Sequence, residues 1–172
     1  MTQQKQALKI MLMGEGDCGK GTLCKFVAKK YGMSAKSSSE HACELFMFDQ
    51  LKGEHGYKTP KECHADRRNH RQAWYEGIYA FNKNKLTALG ESLYSKYDIY
   101  DGVRHKDEFN AMKEVGLFDI AIWIDASVRT EGESEASMSV TKDMADIIIL
   151  NNGTEKEYIT KIEALFNVLI SA

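Results

Sequence analysis

Nine consecutive residues, Gly14-Glu15-Gly16-Asp17-Cys18-Gly19-Lys20-Gly21-Thr22, limit what this chain can become more than any others in it. An apolar run at 8–13 precedes them and reads as a buried strand. Leu23, Phe26, Val27 and Tyr31 follow and share one face of a helix that Gly32 ends. Glycines on such a strand-to-helix turn let consecutive backbone N–H groups point at one centre, and the helix N-terminus adds its partial positive charge. Lys20 brings a full charge to the same point. The segment therefore reads as a phosphate cradle, with Gly14, Gly16, Asp17, Cys18, Gly19, Lys20, Gly21 and Thr22 around the phosphates.

Four short apolar runs, at 8–13, 98–101, 119–125 and 146–150, are flanked by glycine or charge and predict parallel strands covered on both faces. A weaker strand signal lies at 34–38. Helical patterns alternate with the strands. Phe109, Met112 and Val115 repeat at spacing three before Gly116. Thr154-Glu155-Lys156-Glu157 forms a capping box ahead of Tyr158, Ile162, Leu165 and Leu169. This alternation predicts an α/β domain with a parallel sheet. The segment 34–96 holds the only proline, Pro60, and reads as several helices inserted between the first strands, with Trp74, Ile78 and Phe81 on one face, then Leu86, Leu89 and Leu93.

With 172 residues, the chain is long enough for a core that needs no staples. Its 23 basic and 25 acidic residues leave a net charge of -2, which argues against a nucleic-acid coat protein. No apolar run approaches the ~20 residues of a membrane span. The polar start does not read as a secretory signal, so a cytoplasmic location with four reduced cysteines is expected. His41, Cys43, Cys63 and His64 make a weak zinc set, because no C-x-x-C pair supports it.

The residue after Lys20 is Gly21, where the common phosphate loop has a magnesium-binding serine or threonine, and Thr22 follows it. The order Gly-Lys-Gly-Thr resembles adenylate kinase and other nucleoside monophosphate kinases, in which magnesium is held largely through water and phosphate. Gly16 and Asp17 stand where that family has proline and glycine, so the likeness is to the superfamily. Asp101-Gly102-Val103-Arg104 ends a predicted strand and resembles the Asp-Gly-Phe-Pro-Arg stretch of adenylate kinase. Asp101 is placed to orient the water shell of Mg²⁺, with Thr22 as a second contact, and Arg104 to grip an acceptor phosphate. The plainer alternative makes Asp101 a helix cap and Arg104 a surface residue.

The middle of the chain is similar to bacteriophage deoxynucleoside monophosphate kinases. The likeness rests on Ser37-Ser38-Ser39, Gly56-Tyr57, the run from Asp66 to Trp74, Gly102-Val103-Arg104 with Glu108, and Asn151-Asn152-Gly153. It implies a three-layer α/β P-loop NTPase fold with about five parallel strands. One domain, 1–172, would comprise a core (7–33 and 97–172), a helical monophosphate-binding insertion (34–96) and a short lid (126–142). The implied reaction is ATP-dependent phosphorylation of a deoxynucleoside 5′-monophosphate with Mg²⁺, in the host cytoplasm for a phage protein, with no stable nucleic-acid or membrane partner. A homodimer is left open.

The resemblance places Ser38 and Ser39 beside the monophosphate, although serines there also suit a helix cap. Arg67 or Arg68 shares a helix face with Arg71 that suits the acceptor phosphate or plain solvent. Trp74 suits either a base-pocket wall or the core. Arg129, in the segment taken as lid, is the expected cation at the transferring phosphate, and Glu131, Glu133 and Glu135 are expected to face solvent. On this reading Lys20, Arg104, Arg129 and Asp101 are the catalytic set. Rival readings are a small-metabolite kinase related to dephospho-coenzyme A kinase and a non-catalytic ATP-binding module.

Overall fold

The computed structural model describes residues 7–132 and 138–171. The first strand, β1 (Ile10–Met13), runs into the glycine-rich loop and then helix α1 (Lys20–Tyr31), which stops at Gly32. A three-residue strand, β2 (Ala35–Ser37), enters the insertion. This comprises α2 (Ser38–Ala42), a π-helical turn at Cys43–Met47, α3 (Phe48–His55), α4 (Pro60–Asp66), a 3₁₀ turn at Arg67–His70, α5 (Arg71–Asn82) and α6 (Ala88–Tyr94). The chain then returns to the sheet through β3 (Ile99–Asp101), α7 (Lys106–Glu114), β4 (Ile120–Asp125), β5 (Ile147–Leu150) and α8 (Glu155–Ser171).

The five strands are parallel and ordered β2-β3-β1-β4-β5. After β1 the chain moves outward on one side, and after β3 it crosses back over β1 to β4. The carboxyl end of β1 therefore opens at a switch point, where open α/β sheets bind ligands. Strand alternation divides the core. Ile10, Leu12, Ile122 and Ile124 pack against Leu23 and Val27 of α1 and Tyr158, Ile162 and Phe166 of α8. Met11, Met13, Tyr100 and Trp123 pack on the opposite face, against Leu93 of α6 and Phe109 and Met112 of α7. The insertion carries a small core of its own from Ala42, Cys43, Met47, Leu51, Cys63, Trp74, Ile78 and Leu89. Among the described residues no helix is long and apolar enough to cross a membrane.

Several sequence expectations change in detail. β5 is not covered on both faces: it is an edge strand, and Ile148 and Leu150 are 45% and 50% exposed. Val115 lies beyond the end of α7 and is exposed, while Phe81 stays at the surface, stacked on Phe46. In α8 the fully buried face is Tyr158, Ile162 and Phe166, with Leu165 and Leu169 at its margin. The capping box forms as expected: Thr154 N–H donates to Glu157 at 2.7 Å and Glu157 N–H to Thr154 at 3.3 Å.

Candidate active site

The glycine-rich loop is built from left-handed backbone that most side chains disfavour. Gly14 has φ 139° and Gly19 φ 107°, and a Cβ on Gly19 would lie 2.4 Å from Asn151 Nδ2. The loop is braced from below by the far end of the chain. Asn151 Nδ2 donates to the Cys18 carbonyl at 2.8 Å and Tyr158 hydroxyl to the Gly19 carbonyl at 3.0 Å. Helix α1 starts at Gly19 with no side-chain cap and no acidic residue in its first turn, so its first N–H groups remain available to an anion. Lys20 Nζ lies over the loop and donates to the carbonyls of Gly14 at 2.8 Å and Glu15 at 2.7 Å.

Beside this loop lies a cleft of about 550 Å³ between the sheet's carboxyl edge and the insertion. It is lined by Gly16, Asp17, Cys18, Gly19, Lys20, Gly21 and Thr22 on one side and by Ser38, Ser39, Arg67, Arg68, Arg71, Trp74, Asp101 and Arg104 on the other. The structure thus brings together nearly every residue picked from the sequence. Gly14 sits just behind the lining, where its carbonyl receives Lys20.

The arginines do not reach the cleft as one α-helical face. Arg67 and Arg68 belong to a 3₁₀ turn, and α5 begins only at Arg71, because His70 (φ -130°, ψ 34°) interrupts the helix. Burial, then the neighbouring guanidiniums of Arg68, Arg104 and Arg71, pull Arg67 below the usual arginine value, which shows how closely the four cations crowd. Arg67 Nη1 donates to the His64 carbonyl at 3.0 Å, Arg68 Nη2 to Asp17 at 2.7 Å, and Arg104 Nη1 lies 3.1 Å from Met138 Sδ.

Asp101 is not a helix cap, since α7 begins at Lys106 with His105 in the N-cap position. It ends β3 inside the cleft, where burial raises its pKa against the pull of Lys20, Arg104 and Arg67. Its Oδ1 is buried with no hydrogen-bond partner among the described residues. A buried, unpartnered carboxylate oxygen beside Thr22 and the loop suits the water shell of Mg²⁺. Asp101, through water, and the Thr22 hydroxyl would hold the ion, which when bound with a triphosphate neutralises its β- and γ-oxygens.

The cap expected of the serines forms, and Ser37, Ser38 and Ser39 also line the cleft. Ser37 caps α2, accepting from Glu40 N–H at 3.4 Å, while Ser38 Oγ donates to the Gly102 carbonyl at 2.7 Å and Ser39 Oγ meets His64 Nε2 at 3.0 Å. Trp74 is likewise both core and wall: 5% exposed, packed in the insertion core, and lining the cleft. Lys25, His64, Tyr75, Ile78 and His105 also line the cleft and were missed. Tyr75 lies four residues past Arg71 and Ile78 four past Trp74, a helical spacing that could have found them. His105 follows Arg104, and its ring packs on Tyr75 at 3.7 Å between centroids.

Arg129 stands elsewhere. It does not line the cleft, and its Nε–H donates to the Asn151 carbonyl at 2.7 Å, on the outer side of the loop's brace. Glu131 is exposed, whereas Glu133 and Glu135 lie outside the described residues. Of the weak zinc set, Cys43 and Cys63 sit in the insertion core, His41 meets Ser92 and His64 meets Ser39.

No protein-family model and no curated protein sequence matches the chain significantly. Solved structures match nearly all of it. Shikimate kinase from Aquifex aeolicus vf5 aligns with a TM-score of 0.52 at 13% identity, over 93% of this chain and 96% of that one. Shikimate kinase from Bacteroides thetaiotaomicron gives 0.53 at 13%, over 94% and 98%. The Acinetobacter baumannii enzyme in complex with shikimate gives 0.52 at 13%, over 96% and 94%. At such identity the likeness is one of architecture: the chain shares the α/β fold of these kinases, five parallel strands with a braced glycine-rich loop after the first.

Proposed function

We propose that the protein transfers the γ-phosphoryl group of ATP to a nucleoside or deoxynucleoside 5′-monophosphate. The observation that carries this reading is the lining of one cleft. Lys20, Lys25, Arg67, Arg68, Arg71 and Arg104 line it against the carboxylates of Asp17 and Asp101. The loop and Lys20 account for one polyphosphate, and Arg71 and Arg104 suit a second phosphate, which guanidinium binds bidentately. Trp74 and Tyr75 line the same cleft and supply aromatic surface suited to a base.

The chemistry follows from placement. An oxygen of the acceptor phosphate attacks the γ-phosphorus in line, the bond to the β–γ bridging oxygen breaks, and ADP leaves with the electron pair. A phosphate dianion needs no base to deprotonate it, so positioning and charge neutralisation suffice. Lys20 carries its charge toward the β- and γ-oxygens, and Arg104 with Arg71 fixes the acceptor.

One observation favours a second reading, a kinase for a small hydroxylated acid of the kind named for the structural neighbours. Asp101, buried with a raised pKa and an unpartnered Oδ1, could take the proton of an attacking hydroxyl. An ADP-release assay with ATP, Mg²⁺ and a panel of deoxy- and ribonucleoside monophosphates, shikimate and gluconate separates the two. Release dependent on a monophosphate is expected. Release driven by a hydroxy acid, or fastest with no acceptor, overturns the proposal.

A further inference from the structure

Asp17 is the one non-glycine residue with positive φ (57°) among the described residues, a conformation that glycine adopts more readily. Its carboxylate also places negative charge three residues before Lys20, on a loop shaped to receive phosphate. Aspartate tolerates that backbone better than most side chains do, so it is the charge that argues against it at this position. What compensates is Arg68, whose Nη2 donates to Asp17 Oδ1 at 2.7 Å from the insertion on the other side of the cleft. The two side chains are 58% and 68% exposed, so the pair is weak and adds little to the fold. A guanidinium has five N–H donors and can keep Asp17 on one edge while offering the other to a phosphoryl oxygen. Arg129, the cation first expected at that point, is instead held by the Asn151 carbonyl away from the cleft lining.

We propose that Arg68 meets the transferring phosphoryl group and that Asp17 is the positioning residue that holds it over the loop. The inference rests on the phosphoryl-transfer reading above. As the acceptor oxygen bonds to the γ-phosphorus and the bridging oxygen departs with ADP, the equatorial oxygens carry charge that Arg68 neutralises. Asp17 then has two duties: it draws the guanidinium in from the insertion, and its own charge is covered so that triphosphate can enter.

The test compares full-length wild type, Arg68→Ala, Asp17→Gly and the double variant. ATP affinity is measured by calorimetric titration. Single-turnover transfer from ATP uses an equimolar mixture of the four deoxynucleoside monophosphates. Arg68→Ala should slow transfer by about 1,000-fold, on the scale of losing an arginine at a transferring phosphate. It should also weaken ATP binding roughly 3–10-fold, because Asp17 is left uncovered. Adding Asp17→Gly should return ATP affinity to within about twofold of wild type while transfer stays slow. Asp17→Gly alone should slow transfer about 10-fold without weakening ATP binding. Unchanged transfer in Arg68→Ala, a change confined to the acceptor KM, or a double variant binding ATP no better than Arg68→Ala overturns the inference. If wild type transfers to no monophosphate, the acceptor reading falls and Arg68's catalytic part falls with it. The ATP titrations then still decide whether Asp17 and Arg68 are coupled.

Discussion

Replacing Glu108 by glutamine should make the protein more stable at alkaline pH than its parent. Glu108 lies in α7 at 2% exposure, and its Oε1 accepts the Tyr100 hydroxyl at 2.5 Å. Burial pushes its carboxyl from the usual 4.5 up to about 7, against the hydrogen bond from Tyr100. The folded state therefore holds a proton that the unfolded chain has released between those two values. Stability linked to this group is fully present below pH 4.5 and is lost as pH rises through about 7. A span from 4.5 to about 7 corresponds to about 3 kcal/mol, or roughly 6–12 °C in Tm for a chain of this length. Glutamine keeps an acceptor for Tyr100 and cannot ionise. Urea unfolding of both proteins at pH 4.5, 6, 7 and 8 provides the assay. The difference between the two cancels the other titrating groups and should move by about 3 kcal/mol in favour of the variant across that range. A difference that stays flat with pH, or moves the other way, would show that Glu108 is ionised in the folded protein.

Lys20→Met should lower kcat by about 100-fold or more while far-ultraviolet dichroism and Tm stay near native, because the ammonium bonds only to atoms of the loop, the Gly14 and Glu15 carbonyls and Cys18 Sγ. Arg104→Ala should raise the monophosphate KM at least about tenfold more than the ATP KM, measured by varying each substrate at saturating concentrations of the other. Equal effects would mean that Arg104 does not discriminate the two. Arg129→Ala should leave single-turnover transfer within about threefold of wild type and show its effect in ATP affinity, since its contact is with the Asn151 brace. A collapse of transfer at unchanged ATP affinity would return the catalytic cation to Arg129.

The parts of the fold that were legible in the sequence are those where one local pattern has one structural solution. β1 and β4 are buried on both faces, so their residues are continuously apolar. β5 looks the same in sequence, yet it lies at the sheet edge with one side open, and only the strand order reveals that. The loop was legible because strand, glycines and lysine must coincide. The arginines were legible as a cationic cluster but not as a geometry. Their spacing suits an α-helix, whereas the chain breaks at His70, which lets Arg68 reach back to Asp17. Arg129 illustrates the opposite failure. Its place at the carboxyl edge after β4 was foreseeable, but the direction of its side chain depends on a carbonyl at Asn151, twenty-two residues away.

The brace beneath the loop has a consequence for how the protein is made. All nine residues of the glycine-rich string have been synthesised by residue 22, and a nascent chain carries them from the outset. The Cys18 and Gly19 carbonyls gain their partners only when Asn151 and Tyr158 arrive, and β1 lies between β3 and β4, which both come late. A ribosome-bound chain of 140 residues therefore displays the motif without the cradle. A chain that stops before β5 leaves both carbonyls without these partners, so the loop gains its bracing only once β5 and α8 have been added.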